Sequence, residues 1–206
     1  MSVNPYDQDL GKNPANFQPL TPITFLERSA KVYPTYTAII HGNQRINYAT
    51  FYERSKRLAS ALAMSAGIGK GDTVSVMLSN TPSMLEAHYG VPMTGAVLQS
   101  INTRLDAAII AFQLDHSDCR VVIVDREFAP VIREALAMAK VEPLVIDYDD
   151  PEFPQDNEPL SYLDYEESIA TGDPDYVWRV PDDEWEAISL NYTSGTTGNP
   201  KGVVYH

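Results

Sequence analysis

The sequence predicts an α/β protein in which a parallel sheet is covered by helices on both faces. Short runs of β-forming residues alternate with longer stretches of helical periodicity, which is the pattern of consecutive βαβ units. One run, residues 121–124 (VVIV), has four apolar residues in a row, as expected for a strand that is buried on both sides. At 206 residues the chain is long enough for one or two domains with a sizeable core.

Capping and turn residues define the first elements. Thr21 and Pro22 predict the start of a helix, because threonine is a good cap and proline suits the first helical turn. A hairpin follows, with residues 38–41 and 45–48 as its strands on either side of a turn at Gly42. We therefore expect a helix and a hairpin before the first strand of the sheet.

Two helices are then expected from their end signals. Thr50 and Glu53 have the spacing of a capping box, and Gly67 is placed to close the helix that they begin. The next helix is predicted from Asn80, as its cap, to Tyr89. Further along, periodicity and composition predict strands at residues 73–78, near 97, and at 121–124, 144–146 and 187–192. They also predict helices at residues 106–116, 129–140 and 161–170.

After residue 146 the chain becomes acidic and rich in proline. Residues 147–159 read DYDDPEFPQDNEP, which predicts a surface loop rather than a calcium site, because Glu152 stands where the calcium-loop pattern requires glycine. Residues 173–186 predict a second loop, which Trp178 and Trp185 would anchor to the rest of the protein.

Residues 192–206 (YTSGTTGNPKGVVYH) concentrate groups that can bind phosphate. Hydroxyl side chains can donate hydrogen bonds, glycines let backbone N–H groups converge on an anion, and a lysine adds a mobile positive charge. These residues are Thr193, Ser194, Gly195, Thr196, Thr197, Gly198 and Lys201. The flanking segments are strand-like, so we predict a phosphate-binding loop in a hairpin.

The spacing differs from that of other known loops. In a P-loop the lysine directly follows the second glycine, whereas Lys201 stands three residues after Gly198. The dinucleotide pattern G-x-G-x-x-G is absent. A nucleophile elbow would require glycine in place of Tyr192, so Ser194 is not predicted to be a hydrolase nucleophile. A plain hairpin turn is the remaining alternative, but it needs neither four hydroxyls nor a following lysine.

The motif from Thr193 to Gly202 resembles, without a break, the phosphate-binding signature of the adenylate-forming enzymes. These enzymes include acyl-CoA synthetases, firefly luciferase and peptide-synthetase adenylation domains. Upstream segments, among them TPITFLERSAKVYP and GDTVSVMLSNTPSMLEAHYGVPMTGAVLQSINTRLD, resemble the front part of acyl-CoA synthetases for short, medium or aromatic acids. The resemblance implies an N-terminal extension at residues 1–20. Residues 21–206 would be the incomplete front part of the large AMP-binding domain, with an acidic loop region at 147–186.

The resemblance also implies a reaction and its co-substrates. A carboxylate attacks the α-phosphate of ATP to give acyl-adenylate and pyrophosphate, and the thiol of CoA then displaces AMP, with Mg²⁺ bridging phosphate oxygens. Lys201 and Thr196 would be the catalytic residues. The β- and γ-phosphates would be bound by the loop residues Thr193, Ser194, Gly195, Thr196, Thr197 and Gly198, with Lys201 as their charged partner.

Several parts of the family pattern have no counterpart in residues 1–206. These are the adenine-contacting motif, the ribose-binding aspartate, the hinge and the small C-terminal domain with its catalytic lysine. We therefore expect a portion of such an enzyme that is inactive alone and prone to self-association. The alternative is a non-catalytic remnant that binds a nucleotide or a protein. The sequence does not identify the acid.

Composition excludes several classes of partner. A net charge of −13 argues against nucleic acid and anionic membranes, since both attract basic surfaces. Cys119 is the single cysteine, which favours a reducing compartment, and we expect the cytoplasm. We expect neither a signal peptide nor a membrane span, since no apolar run approaches about twenty residues.

The histidines are scattered and lack metal-ligand spacing, so no metal site is predicted. His41, His88 and His116 are expected to have structural or solvent-exposed roles. For His88 a place beside an acid-binding pocket is the second hypothesis, with packing favoured.

Overall fold

A computed structural model of the chain describes residues 4–193 and 200–206. The helices are α1 (Pro22–Val32), α2 (Tyr48–Ser65), α3 (Pro82–Met93), α4 (Ala107–His116), α5 (Ala129–Met138) and α6 (Tyr165–Ala170). The strands are β1 (Thr37–His41), β2 (Gln44–Asn47), β3 (Thr73–Met77), β4 (Val97–Ser100), β5 (Cys119–Asp125), β6 (Leu144–Tyr148), β7 (Ser189–Thr193) and β8 (Lys201–Tyr205). Short 3₁₀ turns lie at Pro5–Asp7 and Arg126–Phe128.

Within the described residues, six strands form the main sheet, in the order β6-β5-β3-β4-β7-β8. Neighbouring strands from β6 to β7 are parallel, and β8 runs antiparallel to β7. The predicted α/β architecture with a mostly parallel sheet is confirmed. The hairpin β1–β2 forms a separate two-stranded sheet, as the turn at Gly42 predicted.

Helices cover both faces of the sheet, which explains why β5 is buried and apolar over residues 121–124. On one face α2, α3 and α6 pack on side chains such as Val74, Val76 and Ile123. On the other face α4 and α5 pack on Met77, Val122 and neighbouring side chains. Helix α1 and the hairpin β1–β2 form an outer layer against α2, through contacts that include Leu26, Ile39 and Phe51.

The path of the chain creates a crevice at one edge of the sheet. From β3 the chain passes through α3 on one face to β4, and from β4 it passes through α4 on the other face to β5, on the far side of β3. The segments that leave β3 and β4 therefore diverge. In open parallel sheets, ligands bind in such a crevice outside the carboxyl ends of the strands.

Two helix starts differ from the sequence prediction. The cap of α2 is Asn47, whose Oδ1 accepts a hydrogen bond from the backbone N–H of Thr50 at 2.9 Å, so the predicted capping box is wrong. Helix α3 begins after Thr81 instead of Asn80, and it continues to Met93. In both cases the preceding strand or loop fixes where the helix can begin, which local residue preferences do not show.

The predicted acidic loop at residues 147–159 is irregular only after Tyr148, because its first two residues belong to β6. Part of the acidic segment is also buried, which differs from a surface loop. Asp147 is 1% exposed, and its carboxylate accepts backbone hydrogen bonds from Leu160 and Ser161 at 3.1 and 2.6 Å. Trp178 anchors the second loop by donating a hydrogen bond to the hydroxyl of Tyr52 at 3.0 Å. Trp185 is 77% exposed and does not enter the core, although its ring stacks on that of His206 at a centroid distance of 4.1 Å.

Candidate functional site at the carboxyl edge of the sheet

The strands β7 and β8 bring the two ends of the predicted phosphate loop together. Thr193 ends β7, Lys201 begins β8, and the two residues are paired in the antiparallel register. Both are exposed at the edge where the parallel strands end. Residues that are directly opposite in an antiparallel pair share one face of the sheet, so a hydroxyl and an ammonium group are neighbours here.

The other predicted loop residues lie outside the described part of the chain. These are Ser194, Gly195, Thr196, Thr197 and Gly198, including the second catalytic candidate, Thr196. The described geometry therefore concerns Thr193 and Lys201 alone.

A cavity of about 520 Å³ opens beside this strand pair. It lies between the hairpin β1–β2, the start of α3 and the carboxyl ends of β4 and β7. Its lining combines apolar side chains with a few polar ones, and it includes Ile39, Ile40, Leu85, His41, His88 and Asn191. Asn191 and Thr193 lie two positions apart on β7, so their side chains share the face that the cavity occupies. Small-molecule sites have this mixture of an apolar wall and few polar groups.

A second cavity, of about 210 Å³, lies at the opposite, amino edge of the sheet, next to Arg179 and Ile188. The guanidinium group of Arg179 already forms ion pairs with the carboxylates of Asp182 and Glu186, at 2.5 and 3.0 Å. This edge is far from the predicted phosphate loop, because β7 runs from one edge to the other. We therefore assign the candidate site to the carboxyl edge.

Two histidines line the larger cavity in different ways. Nε2 of His41 lies 2.8 and 3.0 Å from the carboxylate oxygens of Asp150, which is buried and 109 residues away in the sequence. This pair fastens the hairpin β1–β2 to the loop after β6. His88 is exposed, and its Nδ1–H donates to the carbonyl of Met84 at 2.8 Å. His88 is therefore not packed in the core, and its solvent-exposed position lies within the expected roles. A place for it beside an acid-binding pocket stays a prediction.

His116 has a contact that the sequence did not reveal. Its Nδ1 lies 2.8 Å from the hydroxyl oxygen of Tyr192, the residue before Thr193. Tyr192 alternates with its neighbours on β7, so its side chain lies on the α4 face, away from the cavity. The 76 residues between the two partners explain why no local pattern predicts this contact.

A buried ion pair supports the wall of the site. Glu86 of α3 is completely buried, and Arg54 of α2 contacts both of its carboxylate oxygens, at 2.5 and 3.2 Å. The hydroxyl of Tyr165 in α6 donates to the same carboxylate at 2.8 Å. Burial raises the pKa of Glu86, and the hydrogen bond from Arg54 opposes that change. The carboxylate of Glu86 thus links α2, α3 and α6. This cluster therefore fixes the position of α3, whose first residues line the cavity.

Within residues 4–193 and 200–206, no group of three or more His, Cys, Asp or Glu side chains is placed to hold a metal ion. None of the helices in the same ranges has the length and the apolar character that a membrane crossing requires.

Comparison with known proteins relates this geometry to a family. The profile of the AMP-binding enzyme family matches residues 26–206. A peroxisomal acetate/butyrate–CoA ligase of Arabidopsis thaliana is 46% identical over 209 residues, which are 96% of this chain and 37% of that protein. A peroxisomal trans-cinnamate:CoA ligase of Petunia hybrida is 44% identical over 211 residues, again 96% of this chain and 37% of that protein.

The fold also agrees with that of a solved structure. The crystal structure of an anthranilate CoA ligase in complex with anthranoyl-AMP superimposes with a TM-score of 0.79 at 23% sequence identity, covering 94% of this chain and 36% of the other. The chain thus spans somewhat more than a third of the length of these relatives. Because the family profile covers residues 26–206, the chain belongs to the family of AMP-binding enzymes.

Proposed function

We propose that this chain carries the ATP phosphate site of a carboxylic acid–CoA ligase that acts on a short- or medium-chain or an aromatic acid. The observation that carries the proposal is the pairing of Thr193 with Lys201 at the carboxyl edge of the sheet. A hydroxyl and an ammonium group on one face are suited to phosphate oxygens, because hydrogen bonds to a charged acceptor are stronger than neutral ones. The names of the two plant relatives support an apolar monocarboxylic acid as the substrate.

The proposed reaction has two steps. A carboxylate oxygen of the acid attacks the α-phosphorus of ATP and pyrophosphate leaves; the sulfur of CoA then attacks the acyl carbon and AMP leaves. Lys201 would balance the charge that builds on the β- and γ-phosphates, and Thr193 would donate a hydrogen bond to them. We propose that Ser194, Gly195, Thr196, Thr197 and Gly198 complete this set, with Thr196 beside Lys201 in catalysis. Groups that are already in place stabilise such charge without reorganising.

Mg²⁺ would accompany the nucleotide and supply Lewis-acid stabilisation of the negative charge on its phosphates. We assign no described residue to it, and none to CoA. For the compartment, the single buried cysteine supports a reducing one, and we propose the cytoplasm. The peroxisomal names of the plant relatives make the peroxisome the second location to test, with a fluorescent fusion of the full-length enzyme.

Replacing the lysine tests the proposal. In the full-length enzyme, Lys201→Ala should lower acid-dependent pyrophosphate release by about 10²–10³-fold, the usual effect of removing one preorganised donor. Lys140→Ala is the matched control, because Lys140 is an exposed lysine outside the carboxyl edge. Wild-type turnover in the Lys201 variant would contradict the assignment.

A further inference from the structure

The strand residue that leads into the phosphate loop contacts a helix on the other side of the sheet. The hydroxyl oxygen of Tyr192 lies 2.8 Å from Nδ1 of His116, and the two rings meet edge to face with their centroids 5.7 Å apart. Thr193, the first residue of the predicted loop, follows directly. The contact therefore lies one residue from the proposed phosphate site and on the opposite face.

The end of β7 has little support from the interior of the sheet. The register with β4 contains only Ser189 and Leu190 of β7. Asn191, Tyr192 and Thr193 are paired with β8, which is the edge strand in the described part of the chain. A contact with a rigid element would therefore have a large effect on where this end lies.

His116 belongs to such an element. It is the last residue of α4, in which Ile110 and Leu114 are fully buried. Its ring stacks on Phe112 at a centroid distance of 5.4 Å. The neighbouring Asp115 accepts backbone hydrogen bonds at 2.7 and 3.1 Å from the two residues at positions 140 and 141. Buried packing and the hydrogen bonds of Asp115 thus fix the end of α4, and stacking on Phe112 orients the exposed imidazole.

We infer that His116 is a positioning residue, which acts through the hydroxyl of Tyr192 to fix the end of β7 and with it Thr193. The role toward phosphate rests on the function proposed above, whereas the effect on β7 does not. When a group that contacts the substrate is displaced by about 1 Å, the rate can fall by about 10²-fold. The residues that hold such groups in place are therefore as important as the groups themselves.

Two substitutions remove the hydrogen bond and keep both rings, His116→Phe and Tyr192→Phe. In the full-length enzyme each should lower kcat/KM for ATP by about 3- to 10-fold, the usual range for one neutral hydrogen bond, and leave the KM for the acid unchanged. The double variant should be no worse than either single one, because both remove the same contact. Tyr162→Phe is the matched control, since the side chain of Tyr162 is fully exposed.

A second readout does not depend on activity. In the full-length enzyme, amide hydrogen exchange at Thr193 should become faster in both variants and stay unchanged in Tyr162→Phe. Faster exchange with unchanged kcat/KM would overturn the inference, as would additive effects in the double variant or unchanged exchange. Absence of pyrophosphate release from the wild-type enzyme would count against the proposed function, and exchange at Thr193 would still decide whether His116 positions β7.

Discussion

Asp125 ends strand β5 with a carboxyl group that is almost entirely removed from solvent. Asp125 is 2% exposed, and one of its carboxylate oxygens accepts a hydrogen bond from the backbone N–H of Glu127 at 3.0 Å. Burial raises the pKa of Asp125 to about 6, and the nearby carboxylates of Asp149 and Asp150 act in the same direction. Because its pKa is higher in the folded protein than the usual 3.9 or so, ionisation of Asp125 destabilises the fold.

Asp125→Asn should therefore stabilise the protein at neutral pH. The amide keeps the acceptor for Glu127 and carries no charge. A pKa difference of about 2 corresponds to roughly 3 kcal/mol in the free energy of unfolding. The variant should therefore be more stable than wild type by up to that amount above pH 6, and equally stable below about pH 4. Urea denaturation at several pH values would measure the gain. A variant that is less stable than wild type at pH 7 would show that the charge of Asp125 is compensated.

The contacts that define the site join side chains that are distant in the sequence. His41 meets Asp150, Arg54 meets Glu86, and His116 meets Tyr192. A single sequence shows the types of residue but not which of them meet. The candidate residues of the phosphate loop lie in one continuous motif, so the sequence can propose them, and they stay a prediction. The supporting contacts join distant residues, so the sequence could not propose them.

At the scale of elements, the capping of α2 illustrates what local sequence can and cannot predict. The helix was expected, since its apolar stripe at Phe51, Leu58 and Leu62 repeats at helical spacing, and these residues are buried. The position of its cap was wrong, because Asn47 ends β2 and is already in extended geometry when the helix begins. The pairing of β2 with β1 therefore determines where α2 begins, and this pairing involves residues outside the helix.

Two substitutions separate the observed cap from the predicted one. Asn47→Ala should destabilise the protein by about 1 kcal/mol, since the backbone N–H of Thr50 loses its acceptor. Thr50→Ala is the matched control and should change stability little, because its side chain is exposed and it lies within the helix. Thermal unfolding of both variants would measure the difference. A larger loss for Thr50→Ala would restore the capping box.

At the scale of the whole molecule, the sheet ends at a strand that exposes both its backbone and its side chains. Within the described residues β8 is paired on one side only, and Val203, Val204 and Tyr205 are 40–58% exposed. Unpaired strand edges and exposed apolar side chains favour pairing with other chains. The parallel arrangement of the sheet was predictable from the alternation of strands and helices. The order of its strands was not, because it depends on which face each connecting helix covers.

We expect the 206-residue chain to associate through this edge. In size-exclusion chromatography it should elute as a species larger than a monomer, with the proportion rising with concentration. Val204→Lys should shift it toward the monomer, because a charge on an edge strand opposes pairing. Ile40→Lys, at a similarly exposed position on the separate β1–β2 sheet, is the control. Monomeric behaviour of the wild-type chain at all concentrations would contradict the expectation.

Acid-dependent pyrophosphate release tests the central claim most directly. It should be measured side by side for residues 1–206 and for the full-length enzyme. Both samples would receive ATP, Mg²⁺ and a series of short-chain and aromatic acids. We predict release from the full-length enzyme with at least one of these acids and none from residues 1–206. The reason is that the described residues supply phosphate donors but no recognisable group for adenine or ribose, so the reacting atoms cannot be held in place. Release from residues 1–206 alone would contradict the claim that this chain supplies only the phosphate site. No release from the full-length enzyme with any acid would contradict its assignment as an acid–CoA ligase.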